Sequence, residues 1–498
     1  MKFPVNDIIT LLDKRLEFNL AESTNKDLIL NEIWDDEFSK ELKNLKLEYG
    51  TSKGNKELRE KIGQKIKVDK NQIVITNGSA FAMFLSMLCL CEVGDEVITV
   101  QPNFPPTMDL IEGLGFKRVL VKLSFEDEYR VNINKLFSQI TNKTRLIILV
   151  SPLNPTGTIH SKAEVLTISE RLNNQYPNCR LIIDETYSEA TYGDNATIPS
   201  YAGLKDNIIT ISSLSKCHGT PGLRIGWLQS SDKKFIEQVG IAKMNTVISN
   251  SVLDEFVALR ILNKESEIFK NRRKHSIKGF ELTQNWVVQN NELIDWVEPK
   301  AGALCCIKLK EERFTEDAIE AFYSLAKKTG IQIANGEWFG ESKSYFRLGF
   351  GYMEIEKLDL TLNRLSGILK KASTPDKDQI TEPFEKEKLN LNGKKFSTLS
   401  NSNNGEVSSN TVFEYRQKGN IIWATYQGGD ILFGTLSGRK ENEKLIFTYQ
   451  HQNRNGDFKT GKCKSTIECI DEKLILKEIW EWTCDDYSKG ESVLKEIS

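Results

Sequence analysis

One unit recurs through the first 370 residues: a short apolar run, a polar turn, then a longer stretch of helical periodicity. The apolar runs are Gln72–Thr76, Glu96–Val100, Leu146–Val150, Arg180–Asp184 and Asn207–Ser213. Ala80–Leu90 and Lys162–Asn173, between them, carry helical patterns. Strands apolar at nearly every position need cover on both faces, and alternation with helices supplies it. The pattern predicts an α/β fold with a mostly parallel sheet wrapped by helices. Polar clusters follow several runs, at the carboxyl ends of strands where open α/β sheets bind ligands.

The pattern changes near residue 371. Residues 371–388 are charged, carry prolines and read as a linker. Beyond it, residues 411–417, 420–427, 431–438, 444–452 and 473–483 alternate apolar and polar positions. Turn sequences such as "QGGD" and "RNGD" separate them. Residues 389–498 are therefore expected to form an all-β domain, a small antiparallel barrel.

A chain of 498 residues suggests two to four domains at roughly 100–200 residues each. A net charge of -2 without a basic block gives no footing for nucleic acid or an anionic membrane. The N-terminal stretch lacks the apolar core of a signal peptide. The longest apolar run, Ala80–Cys91, falls short of the roughly 20 residues that span a bilayer. Nine cysteines without a Cys-x-x-Cys pair and four scattered histidines fit reduced thiols, with no metal site expected. A cytoplasmic protein is the expectation.

Five motifs fall at strand ends. "TNGSA" (Thr76–Ala80) opens a helix, where free amides suit a phosphate; Ser79 also fits as an ordinary N-cap. "QPNFPP" (Gln101–Pro106) offers Phe104 as a stacking ring or a packing aromatic. "SPLNPTG" (Ser151–Gly157) offers Asn154 as a donor or a turn residue. "IIDETY" (Ile182–Tyr187) puts Asp184 at a buried strand end, where a carboxylate needs a cationic partner. "ISSLSKCHGTPGLRIGW" (Ile211–Trp227) places one lysine, Lys216, among serines, glycines and Arg224.

Taken in this order, the motifs resemble the fold type I, pyridoxal-phosphate-dependent aminotransferases of class I and II, over about residues 15–370. The resemblance implies a three-layer large domain over about 50–285, and a small α+β domain from 1–49 and 286–370. It implies pyridoxal 5'-phosphate as cofactor, Lys216 as the Schiff-base lysine and Asp184 as partner of the pyridine nitrogen. Asn154 and Tyr187 would donate to the phenolic oxygen, and Phe104 would stack on the ring. Gly78, Ser79, Ala80, Ser213, Ser215 and Arg224 would cup the phosphate. Tyr49 would reach the phosphate of a neighbouring subunit, which implies a homodimer. Arg347, in "SYFRLGFG", would grip the substrate α-carboxylate; a surface ion pair is its plainer role. The reaction implied moves an amino group between an amino acid and a 2-oxo acid.

Cys217, His218 and Thr220 depart from the usual pattern, Thr220 standing where an aliphatic residue is normal. His218 is a proton shuttle or a satisfied structural histidine. "PGLRIGW" and "NLAEST" loosely resemble capreomycidine-synthase-like enzymes, which keeps a lyase or cyclising synthase open. Glu22 would then meet a cationic substrate tail, or simply cap a helix. A third reading, a non-catalytic pyridoxal-phosphate-binding regulator, lacks the expected N-terminal winged helix. Residues 389–498 resemble small bacterial N-acetylglutamate synthase-like β proteins. Their Trp423, Trp480, Trp482, Tyr415, Tyr426 and Tyr449 would fill a core or line a ligand cavity.

Overall fold

Seven strands build the principal sheet: β1 (Ile73–Asn77), β2 (Glu96–Gln101), β3 (Lys117–Lys122), β4 (Thr144–Val150), β5 (Arg180–Asp184), β6 (Ile208–Ser213) and β7 (Ile225–Ser230). They lie in the order β1-β7-β6-β5-β4-β2-β3. The pairs from β3 through β6 are parallel, and β7 is antiparallel to both β6 and β1. Ile98, Ile147, Leu149 and Ile183 pack into one apolar layer; Val97, Ile148, Ile182 and Ile211 pack into the other. Burial on both faces explains runs with no polar alternation. All five strands expected in this region are present. β3 and β7 were not legible. β3 is an edge strand whose apolar residues are bracketed by lysines and an arginine, and β7 contains Gly226, which reads as a turn residue. The two reversals around β7 leave the carboxyl ends of β1, β2, β4, β5 and β6 at one edge.

A second sheet comprises β8 (Ile294–Trp296), β9 (Leu304–Leu309), β10 (Ala334–Asn335) and β11 (Tyr345–Gly349), antiparallel, in the order β10-β11-β9-β8. Helices Glu316–Lys328 and Ile355–Ser373 cover it through Phe322, Leu358, Leu362 and Leu365. Phe18–Asn19 pairs in parallel with Ile331–Gln332, and Leu20 accepts a backbone bond from Gly349, 2.6 Å. The N-terminal segment is thereby laid along β11.

The structure is a computed structural model that describes residues 3, 13–14, 16–190, 198–373, 390–441, 444–470, 473–484 and 487–497. The helix ending at Ser373 takes in the first three residues of the expected linker; the others lie outside the described residues. The chain divides into two compact units, Met1–Thr374 and Pro375–Ser498. No helix among the described residues is long and apolar enough to cross a membrane.

The second unit is a closed eight-stranded antiparallel barrel: β12 (Lys395–Asn401), β13 (Val412–Lys418), β14 (Ile421–Gly428), β15 (Ile431–Glu441), β16 (Lys444–Asn453), β17 (Phe458–Ile470), β18 (Lys473–Trp482) and β19 (Lys489–Glu496). β19 pairs with β12 and closes the ring, which leaves no free sheet edge. β12, β17 and β19 were not legible, being rich in Ser, Lys and Gly; closure supplies their pairing. Tyr415, Tyr426, Trp480 and Trp482 point inward. Trp423 does not: it is 42% exposed, because it alternates with the inward Ile422 and Ala424.

Glu478 sits among these inward aromatics, 7% exposed. Burial pushes its carboxyl up to about 8, from 4.5 in an unfolded chain. A raised native value means that the folded barrel holds the proton more tightly. The stability this contributes is complete below pH 4.5 and is lost as pH climbs to about 8. Glu478→Gln removes the dependence. Calorimetry of the full chain should find wild type and variant close at pH 5. At pH 9 the variant should be ahead by up to about 5 kcal/mol, with its barrel transition higher by at least about 5 °C.

Candidate active site

The carboxyl edge of the principal sheet gathers the polar motifs. Asp184 ends β5, and its Oδ1 accepts from the Thr186 backbone amide at 2.9 Å and from the Thr186 hydroxyl. Burial raises its carboxyl above the ordinary range; Thr186 and the Lys216 charge pull it back in part. Ser213 ends β6, and its Oγ accepts from the Ser215 amide at 3.3 Å. Lys216 follows on the same loop.

The Lys216 Nζ donates to Ser23 Oγ at 3.0 Å and lies 3.7 Å from Glu22 Oε1. Tyr187 Oη donates to the same Ser23 Oγ at 3.0 Å. Asn154 Nδ2 donates to Tyr187 Oη at 3.4 Å, and Arg347 Nη1 donates to Asn154 Oδ1 at 2.9 Å. Arg347 Nη2 donates to the Ala21 carbonyl. The guanidinium is 2% exposed and lies 4.8 Å from the centre of the Phe339 ring. Five side chains from five separate segments therefore form one connected network.

Ser23 has no precedent in the sequence reading. It stands 193 positions from Lys216, and no local pattern marks it. Backbone bonds hold it there: Asn25 donates its amide to the Lys216 carbonyl at 3.1 Å and its side chain to Cys217 O at 3.0 Å. The same bonds bring Glu22 beside Lys216, in neither a helix cap nor an exposed position.

Arg224 and the start of helix Gly78–Leu90 form a second group. Arg224 adopts a left-handed φ of 55° and donates to Pro221 O at 2.8 Å and Ser215 Oγ at 3.5 Å. The helix is preceded by Asn77, whose side chain does not cap it, and Ser79 lies inside the first turn. The first amides are thus open to an anion. Gly78 has φ +77°, and a Cβ there would run into the Arg224 guanidinium. A Cβ at Gly226 would come within 2.6 Å of the Ser79 nitrogen. Gly78→Ala should displace Arg224 and weaken cofactor retention by about tenfold or more, read by equilibrium dialysis of the cofactor.

Ala80 is exposed in the same turn, and Phe104 is half-buried at the start of helix Pro105–Gly113. Tyr49 is 83% exposed and joins none of these contacts within its own chain. Thr220 donates to Leu214 O at 2.8 Å and closes the Lys216 loop. Cys217 is buried, which pushes its thiol up to about 12. His218 Nε2 lies 2.7 Å from Glu265 and 3.4 Å from Glu189, whose carboxylates Lys65 bridges. His218 is thus tied into an ion-pair cluster, where Lys65 supplies the cation.

These groups suit pyridoxal phosphate. The donor set of open helix amides, serines and Arg224 matches a phosphate dianion. The cradle at Gly78 exists only without a side chain there. Asp184 Oδ2 takes no hydrogen bond from any described residue, which leaves an oxygen for a protonated ring nitrogen.

Comparison with known proteins agrees. The family described as aminotransferase class I and II matches residues 17–365. The family described as avidin-like protein matches residues 389–497. The (5-formylfuran-3-yl)methyl phosphate transaminase of Methanocaldococcus jannaschii is 29% identical over 395 residues, covering 74% of this chain and 97% of its own. The aspartate aminotransferase of Pyrococcus abyssi is 25% identical over 347 residues, covering 67% and 87%. The crystal structure of a PLP-dependent aminotransferase from Streptococcus suis superposes with a TM-score of 0.69 at 24% identity, covering 76% of this chain and all of the other. With the family matching residues 17–365 and the cradle suited to its cofactor, the chain belongs to the class I and II aminotransferases and is a pyridoxal-phosphate-dependent enzyme.

Proposed function

We propose that the network from Lys216 to Arg347 is the catalytic centre at which this aminotransferase moves an amino group from an α-amino acid to a 2-oxo acid. The observation that carries the reading is the continuous hydrogen-bonded path Lys216–Ser23–Tyr187–Asn154–Arg347. Pyridoxal phosphate, when bound, supplies an aldehyde that captures the substrate amine and a ring that draws electrons from its α-carbon. Lys216 Nζ takes the proton from that carbon and gives it back, and Ser23 positions Nζ. Asp184 holds the ring nitrogen in its charged form. Tyr187 and Asn154 hold the phenolic oxygen, and Phe104 covers the ring. Gly78, Ser79, Ala80, Ser213, Ser215 and Arg224 hold the phosphate. Arg347, buried on Phe339, would pair with the substrate carboxylate through its planar fork and so orient the substrate. Exposed Tyr49 supports a homodimer whose second copy it reaches, and the cytoplasm is the proposed location.

Glu22 favours a donor with a positively charged end, because its carboxylate lies 3.7 Å from Lys216 Nζ. The same feature favours a second reading, a lyase or cyclising synthase acting on a basic amino acid. A panel of amino acids, followed for pyridoxamine phosphate, separates the two. Its formation supports transamination; ammonia or a cyclic product without it overturns that outcome. Arginine, lysine or ornithine should be the better donors. Glu22→Gln should cost about 10–100-fold in kcat/KM with them and little with aspartate. Equal loss with every donor would show that Glu22 serves only to position Lys216.

A further inference from the structure

The barrel carries a polar interior that the aminotransferase site does not use. Its cavity offers about 40 Å³ to the centre of a water-sized sphere. The walls are aromatic: Phe413, Tyr426, Phe447, Tyr449, Trp480 and Trp482. Trp480 and Trp482 lie 5.5 Å apart between ring centres, and Tyr449 stands edge-on to Trp482 at 5.5 Å. Into this box projects Glu478. Its Oε2 accepts from Ser492 Oγ at 2.8 Å, while its Oε1 is fully buried with no hydrogen-bond partner among the described residues. No lysine or arginine is among the described residues lining the cavity. His451 also faces it, bonded to Glu406 at 2.8 Å and to Tyr426 Oη at 3.0 Å. Burial holds the His451 imidazole below its ordinary value, which disfavours its charged form.

A buried carboxyl group is neutralised by a proton or by a cationic partner, because an isolated buried charge is very costly. Here the partner position is empty of protein cations and walled by π-faces, the surroundings that attract an organic ammonium group. We propose that the barrel interior is a binding site for a small organic ammonium ion, with Glu478 as its counter-ion and Trp480, Trp482 and Tyr449 as its cage.

The proposal has a pH signature. Glu478 is protonated in the free barrel up to about pH 8, so a cation must displace that proton. Facing it are Tyr415, Tyr426, Tyr449 and Cys463, all pushed up by burial, with Glu406 and His451 on the cavity wall. Burial keeps the three phenols and the Cys463 thiol uncharged below pH 9, while Glu478 gives up its proton near pH 8. Affinity for a permanent cation should therefore rise with pH to about 8 and then level.

The test uses the full-length holoenzyme and isothermal titration with tetramethylammonium. That ion keeps its charge at every pH and cannot react with the active-site aldehyde. Neutral tert-butanol and anionic pivalate are the shape controls. The expected result is saturable binding of tetramethylammonium at least about tenfold tighter than tert-butanol, strengthening from pH 6.5 to 8. Glu478→Gln should lose at least about tenfold, together with the pH dependence. Trp482→Phe is a second variant, should the first not fold; it should weaken binding while keeping the pH dependence. No saturable binding, equal affinity for tert-butanol or pivalate, or a pH-independent affinity overturns the proposal.

Discussion

Lys216→Ala lowers the rate of amino transfer by roughly 10⁴-fold. Two functions vanish together, the amine that meets the cofactor aldehyde and the base that carries the α-proton. The surroundings offer no substitute. Ser23 is a weak base at neutral pH. Tyr187 is engaged with Ser23 and Asn154. His218, the nearest histidine in sequence, is occupied by Glu265 and Glu189. Cys217, its thiol pushed up to about 12, is not a thiolate. Lys216→Arg tests whether charge alone suffices. It keeps the positive charge beside Glu22, yet a guanidinium neither gives up a proton near neutral pH nor attacks an aldehyde. Both variants should retain cofactor non-covalently, because the phosphate cradle around Gly78 and Arg224 is untouched. The checks are single-turnover rates and loss of the visible band of the lysine-bound cofactor. Turnover within about tenfold of wild type would mean that another group carries the proton.

Asp184→Asn should cost about 10²–10³-fold in kcat. Asparagine keeps the shape and can still accept from Thr186, so the strand end is preserved. What it loses is the fixed negative charge that keeps a ring nitrogen protonated while electrons flow toward it. Stability should move the other way. Burial raises the Asp184 carboxyl in the cofactor-free protein, so its ionised form is held there at a cost. The cofactor-free variant should melt no lower than the cofactor-free wild type at pH 8, and the wild type alone should gain the full increment on loading. Equal melting losses in both forms would instead make Asp184 a structural residue. The pair of readouts thus separates a group that serves chemistry from one that serves the fold.

The division between what the chain announces and what folding adds is visible residue by residue. Asp184, Asn154, Ser213 and Lys216 were legible because each ends an apolar run or lies within four residues after one. A run buried on both faces identifies itself without knowledge of its neighbours. The parallel order of those strands then brings the residues after them to one edge. Arg347 was legible for a related reason, a charge inside the apolar strand β11. Ser23 and the place of Glu22 were not. They reach Lys216 through the pairing of Phe18–Asn19 with Ile331–Gln332 and the Asn25 bonds to the Lys216 loop, contacts that span hundreds of residues.

The barrel repeats the division. Alternation in β13 to β16 and in β18 marked an antiparallel domain from sequence, since a period of two is a local property. It also set Glu478 in step with Trp480 and Trp482. The sequence by itself therefore determined the two architectures, and the place of Lys216 and the groups beside it at the sheet edge. Only the tertiary structure decided which N-terminal residues touch that lysine, that Trp423 faces out, and that a carboxylate stands unpaired within an aromatic box. Apolar period and turn chemistry act between near neighbours, whereas these contacts exist only once distant strands have found their register.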